Sequence, residues 1–193
     1  MKYIKTYEDQ FNGVIQSSDK NVWNVVANYI RKYLPELPEL DPNTTELFCG
    51  YNKLTYLPEL PDSIKEISCG HNKLKSLPKL PINLIKFDCY DNELVALPDL
   101  PNKLKVLYCD HNKLESLPDL PESLEELCCN HNKLKYLPIL PDGLEHLECL
   151  ENDLPYNDID EYKDWVLENK YLIETEGMEI AHKLYKERGE FNL

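Results

Sequence analysis

Apolar side chains recur along the middle of this chain with a period of 20 residues. Within the unit that runs from Leu104 to Pro121, leucines appear first in the stretch LKVLYC and again between prolines in LPDLP. Side chains alternate between the two faces of a strand, so the first stretch predicts a short strand with Leu107 and Cys109 pointing inward and Tyr108 outward. Six such units follow one another without insertion, which predicts six strands stacked into a parallel sheet.

Each unit also carries one cysteine and one asparagine at fixed positions. The cysteine shares the inward side of the strand with leucine, so its thiol is predicted to pack in the core in reduced form. The asparagine lies where the chain leaves the strand, and its amide is predicted to bond backbone groups that the bend would leave buried and unpaired. The two columns are Cys49, Cys69, Cys89, Cys109, Cys129 and Cys149, and Asn52, Asn72, Asn92, Asn112, Asn132 and Asn152.

Ten of the fourteen prolines lie in five LPxLP segments on the side of the coil opposite the strand. Proline fixes φ near −65° and has no N–H to donate, so these segments predict an extended, polyproline-like wall in place of a helix. One coil cannot cover its own leucines, and each is buried only when a neighbouring coil packs on it. The array therefore needs a cap at each end.

The sequence before the repeats predicts the first cap, in residues 1–36. Ser18 or Asp19 can begin a helix that continues to about Tyr33, because valine, isoleucine and tyrosine recur there at three- and four-residue spacing. The repeats themselves occupy residues 37–154. At the repeat's C-terminal end, Asn157 stands where a leucine is expected, so a different module begins.

Residues 155–193 are predicted to form the second cap. Asp158 or Asp160 can begin a helix that carries Tyr162, Trp165 and Val166. The segment from Tyr171 to Ile173 then leads to a second helix, whose buried face is predicted to carry Ile180, Ala181, Leu184 and Tyr185.

Charge and composition narrow the class of partner. The net charge is −14, and an acidic solenoid repels a phosphate backbone, so we expect no nucleic-acid partner. The first residues contain several charges and no apolar run of the kind that a signal peptide or a membrane span needs, so we expect no membrane association. Together with reduced thiols, this indicates a cytoplasmic location, in the producing cell or in a host.

The unit LPxLPxxLxxLxxxxNxL, read from Leu97 to Leu114, resembles the short repeats of bacterial leucine-rich-repeat effectors of the YopM and IpaH types. It is also similar to cysteine-containing repeat arrays of large DNA viruses and phages. The resemblance implies an α/β repeat fold, a leucine-rich-repeat solenoid with a parallel β-sheet on the concave face, a polyproline-like convex side and helical caps at both ends. It also implies the docking of host proteins.

The outward positions of the strands, and the turns that follow them, are the candidate protein-binding surface. Aromatic side chains there lie among carboxylates, a combination of anchor and charged rim that is typical of protein interfaces, and it favours a partner with a basic or mixed-charge surface. A solvated sheet with scattered aromatics is the alternative. The candidate residues are Glu46, Phe48, Tyr51, Glu66, His71, Lys86, Asp88, Tyr90, Asp91, Tyr108, Asp110, His111, Glu126, Cys128 and His131.

Other motifs in the repeats resemble chemical sites but fit packing better. Cys-x-His pairs such as Cys109 and His111 place the thiol in the core and the imidazole outside, so they do not converge on zinc. The Cys-x-Asp of Cys89 and Asp91 matches the nucleophile motif of ligase effectors, but Cys89 belongs to the core column. Cys128 is the one thiol expected outside. We expect no catalytic residue, no cofactor and no metal, and hence no enzyme.

These observations favour a non-enzymatic protein-binding scaffold, which can be a host-interaction or effector-like protein, and a monomer or a weakly self-associating one. Two alternatives stay open. In the first, the C-terminal helices act on a target that the repeats address, which makes the chain an accessory or regulatory protein. In the second, the repeats mediate self-association in a structural protein.

Overall fold

A computed structural model describes Leu37 and residues 40–190, and in it the predicted parallel sheet is present. Six strands follow one another in the order β1 to β6, each paired in parallel with the next. The predicted N-terminal helix lies outside the described residues. The strands are β1 (Glu46–Phe48), β2 (Glu66–Ser68), β3 (Lys86–Asp88), β4 (Val106–Tyr108), β5 (Glu126–Cys128) and β6 (His146–Glu148).

The strand register reproduces the period of the sequence. Val106 pairs with Glu126, and Tyr108 pairs with Cys128, so each residue lies beside its counterpart in the next unit. The predicted alternation is confirmed, because Leu107 and Cys109 are fully buried whereas Tyr108 is partly exposed. Residues that share a repeat position therefore form columns that run across the strands.

Leucines and cysteines from successive units share one continuous core. The six cysteines of the repeat column are between 0% and 1% exposed, so the prediction that their thiols pack in the interior is confirmed. All seven cysteines of the chain are free. Each fully buried leucine contributes about 1.5 to 3 kcal/mol from removal of apolar surface, before conformational entropy is subtracted.

The asparagine column forms the predicted polar ladder inside the sheet edge. The Nδ2 group of Asn92 donates to the carbonyl of Cys89 in its own unit at 3.0 Å and to that of Cys69 in the preceding unit at 3.1 Å. Its Oδ1 accepts from the backbone N–H of Leu74 at 3.0 Å. The asparagines from Asn72 to Asn152 each satisfy backbone groups of two coils in this way.

The described LPxLP segments contain neither helix nor strand. A tight turn follows each of them, as where the N–H of Leu104 donates to the carbonyl of Pro101 at 3.0 Å. The polyproline-like conformation of this wall and the curvature of the sheet stay predictions.

Three helices follow the repeats: α1 (Ile159–Glu168), α2 (Lys170–Glu176) and α3 (Met178–Glu190). Asp158 is the N-cap of α1, as predicted, and its Oδ1 accepts from the N–H groups of Asp160 and Glu161 at 3.0 and 2.9 Å. The prediction that the segment from Tyr171 to Ile173 only connects two helices was wrong. That segment lies in α2, because no glycine or proline interrupts the chain before Gly177, where φ is +84°.

The predicted buried face of the last helix needs one correction. Ala181 is fully buried, but Ile180 is 44% exposed, and His182 packs in the interior instead at 2% exposure. The reason is that the surrounding cluster is aromatic and partly polar. The ring of His182 stacks on Trp165, and its Nε2 faces the hydroxyl of Tyr156. The imidazole therefore gives this buried hydroxyl a hydrogen-bonding partner, which an aliphatic side chain could not do.

The outer edge of the sheet is covered by the chain that leads into α1. The N–H of Cys149 donates to the carbonyl of Asn157 at 3.0 Å, and Glu148 forms an antiparallel bridge with Asp158. The last strand therefore has a hydrogen-bonding partner in place of a seventh unit. Among the described helices, none has both the length and the apolar composition that crossing a lipid bilayer requires.

Candidate protein-binding face

The strand face consists of the outward residues of β1 to β6 and of the two residues that follow each buried cysteine. The structure places all fifteen predicted residues at these positions. Among them, Tyr51, Asp91, His111 and His131 are exposed, Cys128 is buried, and the other ten are partly buried. The predicted neighbours His111 and His131 are stacked, with ring centroids 4.2 Å apart.

One column of the strand face has left-handed backbone, which the sequence analysis did not predict. The φ angles of the residues in this column lie between 51° and 59°. Histidine and aspartate adopt this region more readily than most other side chains, and they occupy the four central positions. The next unit supports the first five of these turns, as where the N–H of His111 donates to the carbonyl of Asn130 at 2.9 Å. The column is Tyr51, His71, Asp91, His111, His131 and Glu151.

Three aromatic rings and a carboxylate form a cluster at the end of β1 to β3, and we call it the aromatic cluster: Tyr51, His71, Tyr90 and Asp91. The ring of Tyr51 lies 4.1 Å from that of His71, which meets Tyr90 edge-on at 4.3 Å. The two nitrogens of His71 contact the Asp91 carboxylate and the Tyr90 hydroxyl. Contacts at both ring nitrogens therefore restrict the orientation of the imidazole and of the rings that pack on it.

Gly70 provides the space in which the ring of Tyr90 lies. A Cβ atom at this position would come 2.7 Å from Cδ1 of Tyr90 and 3.1 Å from the Tyr90 carbonyl oxygen. Such contacts are too short for any side chain, so only glycine lets the ring fold over the neighbouring strand. Gly70 thus positions the aromatic cluster without contacting solvent.

Two carboxylates beside the aromatic cluster are partly withdrawn from water. Burial raises the pKa of Asp88, although hydrogen bonding from Ser68 and the charges of Lys86 and His71 lower it in part. The Ser68 hydroxyl donates to Asp88 Oδ2 at 2.9 Å. Burial likewise raises the pKa of Asp110, which accepts from the N–H of Asn130 at 2.9 Å. A cationic partner would relieve this unfavourable desolvation of negative charge.

Lys86 and Tyr108 connect the two halves of the strand face. The Nζ atom of Lys86 lies 3.6 Å from Oε1 of Glu66 and 5.7 Å from the centre of the Tyr108 ring. Burial raises the pKa of Tyr108 to about 12, and the Glu126 carboxylate adds to the effect. These contacts give the ring a defined orientation.

The prediction that Cys128 is the exposed thiol was wrong. It points to the strand face and lies outside the hydrophobic core, yet it is only 8% exposed because side chains of neighbouring strands cover it. Burial raises its pKa to about 12, and the charges of Asp110, Glu148 and Glu126 add to the effect. The free thiol is therefore neutral at physiological pH and a poor nucleophile.

The structure also brings together three side chains that the sequence analysis had not combined. Ligand atoms of Glu126, Cys128 and His146 lie within 4.8 Å of one another. The 20-residue register could have found them, since it places residue 126 beside residue 146. The Cys-x-His pairs, in contrast, diverge, as Cys109 is fully buried and His111 is exposed. Cys89 of the Cys-x-Asp motif is fully buried and its pKa is raised well above its usual value, chiefly by burial.

Comparison with known proteins identifies the architecture. YopM from Yersinia enterocolitica is 34% identical over 62% of this chain, with a TM-score of 0.60. A Shigella effector leucine-rich-repeat domain is 23% identical over 92% of this chain and 94% of its own length, with a TM-score of 0.59. The chain has the leucine-rich-repeat fold. The resemblance of its repeats to those of bacterial effectors is confirmed.

This leucine-rich-repeat chain spans only about a quarter of YopM, since the match covers 27% of that protein. No protein-family model and no curated protein sequence matches it. The leucine-rich-repeat fold places its variable residues on the strand face, while the repeated leucines, cysteines and asparagines maintain the scaffold.

Proposed function

We propose that this chain is a non-enzymatic protein-binding scaffold whose partner docks on the strand face. The observation that carries the proposal is the aromatic cluster, which is held in place by hydrogen bonds and lies among carboxylates. Rigid aromatic rings lose little conformational entropy on binding and are frequent anchors of protein interfaces.

The charge around the cluster supports a basic or mixed-charge partner surface. Glu46, Glu66 and Asp88 lie on strands β1 to β3, and Lys86 is the one cation at the outward strand positions of those strands. Because the pKa of Asp88 is raised by burial, an arginine or lysine from a partner would stabilise its charged form. Electrostatic attraction of this kind raises the association rate and weakens as salt is added.

We further propose an effector-like role, in which the partner is a host protein and binding takes place in the cytoplasm of the producer or of the host. The similarity to YopM supports the role. Seven free cysteines support a reducing compartment. In this role the chain acts as a monomer, and its partner is neither nucleic acid nor membrane, in keeping with its net charge of −14.

Affinity capture with matched variants tests the proposal. Wild type, Tyr90→Ala and Tyr108→Ala are immobilised and exposed to a candidate host lysate, and captured proteins are quantified by mass spectrometry. We expect both variants to lose the same specific partner, with affinity reduced about 30-fold or more if either ring is an interface anchor. Binding should also weaken between low and physiological salt.

Tyr171→Ala is the matched control, because Tyr171 is 77% exposed on α2, away from the strands. It removes the same side chain and should retain the partner. Equal capture by wild type, Tyr90→Ala and Tyr108→Ala would show that the strand face is not the docking surface. Loss in the Tyr171→Ala variant alone would move the binding surface to the C-terminal helices.

A further inference from the structure

Four side chains that can ligate a metal meet on the last two strands. Glu126 and Cys128 alternate along β5, and His146 and Glu148 lie directly beside them on β6. The ligand atoms of Glu126, Cys128 and His146 are already within 4.8 Å of one another. The Oε1 atom of Glu148 lies 3.2 Å from Nε2 of His146, so a second carboxylate adjoins the group.

The distances are close to those of a tetrahedral zinc site. With bond lengths of about 2.0 to 2.3 Å, the ligand atoms around zinc lie about 3.3 to 3.6 Å apart. Changes in side-chain torsion angles that move the ligand atoms by roughly 1 Å would bring the three groups to that separation. His146 is exposed and Glu126 is partly exposed, so an ion can enter from solvent without a change in the backbone.

The surroundings favour a divalent cation. Cys128 is covered by its neighbours, and the carboxylates of Glu126 and Glu148 lie beside it on β5 and β6. A bound cation would neutralise the negative charge that these carboxylates bring together. Thiolate and imidazole ligands favour zinc over magnesium or calcium, which prefer oxygen alone.

A further hydrogen bond holds Glu148 in place. The Nδ2 group of Asn130 donates to Oε2 of Glu148 at 2.9 Å. Such contacts from outside the ligand set orient the ligands and commonly raise metal affinity. Within the described residues, no other group of this kind combines a thiol, an imidazole and a carboxylate.

We propose that Glu126, Cys128 and His146 bind one zinc ion on the strand face, with Glu148 orienting His146. The three protein ligands leave a fourth position for water or for a partner's side chain, as in zinc sites that are not closed. The site is independent of the aromatic cluster and does not require that the strand face bind a protein.

Cobalt titration of the full chain tests the site. The protein is reduced, stripped with a chelator and titrated with Co²⁺ alone, and the near-ultraviolet absorption from sulfur-to-cobalt charge transfer is recorded. We expect the band to saturate at one equivalent and to disappear when Zn²⁺ is added. Six of the seven free cysteines are buried in the core, so the charge-transfer band reports on the seventh, Cys128.

Single variants assign the ligands. Cys128→Ser should abolish the band while the far-ultraviolet circular dichroism stays unchanged. His146→Asn replaces an exposed residue, so the fold is retained, and we expect metal affinity to fall at least tenfold; Glu126→Gln should have a similar effect. Glu148→Gln should weaken binding less and should alter the visible cobalt spectrum.

His131→Ala is the matched control, since His131 is exposed, is stacked on His111 and does not belong to the group of Glu126, Cys128 and His146. It should retain both the band and the affinity. The proposal is overturned if stoichiometric Co²⁺ produces no charge-transfer band, or if the band survives in Cys128→Ser. It is equally overturned if metal binding is lost in His131→Ala but unchanged in His146→Asn, because the histidine pair would then be the site.

Discussion

The Nε2 atom of His182 lies 2.7 Å from the hydroxyl oxygen of Tyr156, in the interior between the last repeat and α3. The other ring nitrogen, Nδ1, donates to the carbonyl of Met178 at 2.8 Å, so Nε2 accepts a hydrogen bond from the hydroxyl. This arrangement is complete only when the imidazole is neutral.

We expect the stability of the chain to fall as the pH decreases through about 6.5, the ordinary pKa of histidine. Burial, with the nearby Lys186 charge, lowers the pKa of His182, so below that pH the unfolded chain binds a proton that the folded chain does not. Thermal unfolding from pH 8 to pH 5 measures how steeply stability depends on pH. His182→Gln should flatten this dependence, whereas Lys183→Gln, an exposed change on the same helix, should not. An unchanged slope in His182→Gln would contradict this explanation.

Replacing an asparagine of the ladder should destabilise the whole repeat array. Asn112→Ala leaves the backbone N–H of Leu94 without its partner and removes donors to the carbonyls of Cys89 and Cys109. Each buried group left unpaired costs about 1 to 3 kcal/mol. Urea unfolding measures the loss, and Asn102→Ala, at an exposed turn, should change the free energy of unfolding by less than about 0.5 kcal/mol. Equal values for the two variants would refute the ladder's role.

A methyl group at position 70 should disrupt the aromatic cluster, although the φ angle of residue 70 itself suits alanine. Gly70→Ala places its Cβ against the Tyr90 ring, while Gly70 itself does not have positive φ. We expect an altered near-ultraviolet circular dichroism signal and a loss of about 1 to 3 kcal/mol from overpacking. Gly143→Ala is the control, since its Cβ would meet nothing closer than 3.8 Å. If the two variants behave alike, Gly70 has no special role.

Two substitutions of His131 should show whether the backbone at this position is left-handed. His131 has a φ of 52°, which strongly disfavours β-branched side chains. His131→Val should therefore lower the free energy of unfolding by about 1 to 2 kcal/mol relative to His131→Gly, which adopts this region freely. Both variants remove the same stacking on His111, so their difference isolates the backbone effect. Denaturant unfolding of the pair is the measurement, and a difference near zero would argue against the assigned conformation.

Much of the scaffold could be predicted because each repeated residue has a local reason for its place. Alternation placed Leu107 and Cys109 inside, and the bend after the strand identified the role of Asn112. Asp158 could be recognised as a helix cap for the same reason. Where the local signal was weaker, as for the segment that forms α2, the prediction was wrong. An apolar residue such as Ile180 was assigned to the interior that His182 occupies.

The sequence by itself determined the period, the parallel order of the strands and the division between core and surface, because these depend on spacing along one chain. Tertiary structure alone decided which of the surface residues that the register places side by side come into contact. Gly70 accommodates Tyr90, and Cys128 lies beside His146, only because stacking brings residues about 20 positions apart into contact. Those contacts depend on side-chain volume and orientation across neighbouring strands, and no local pattern records them.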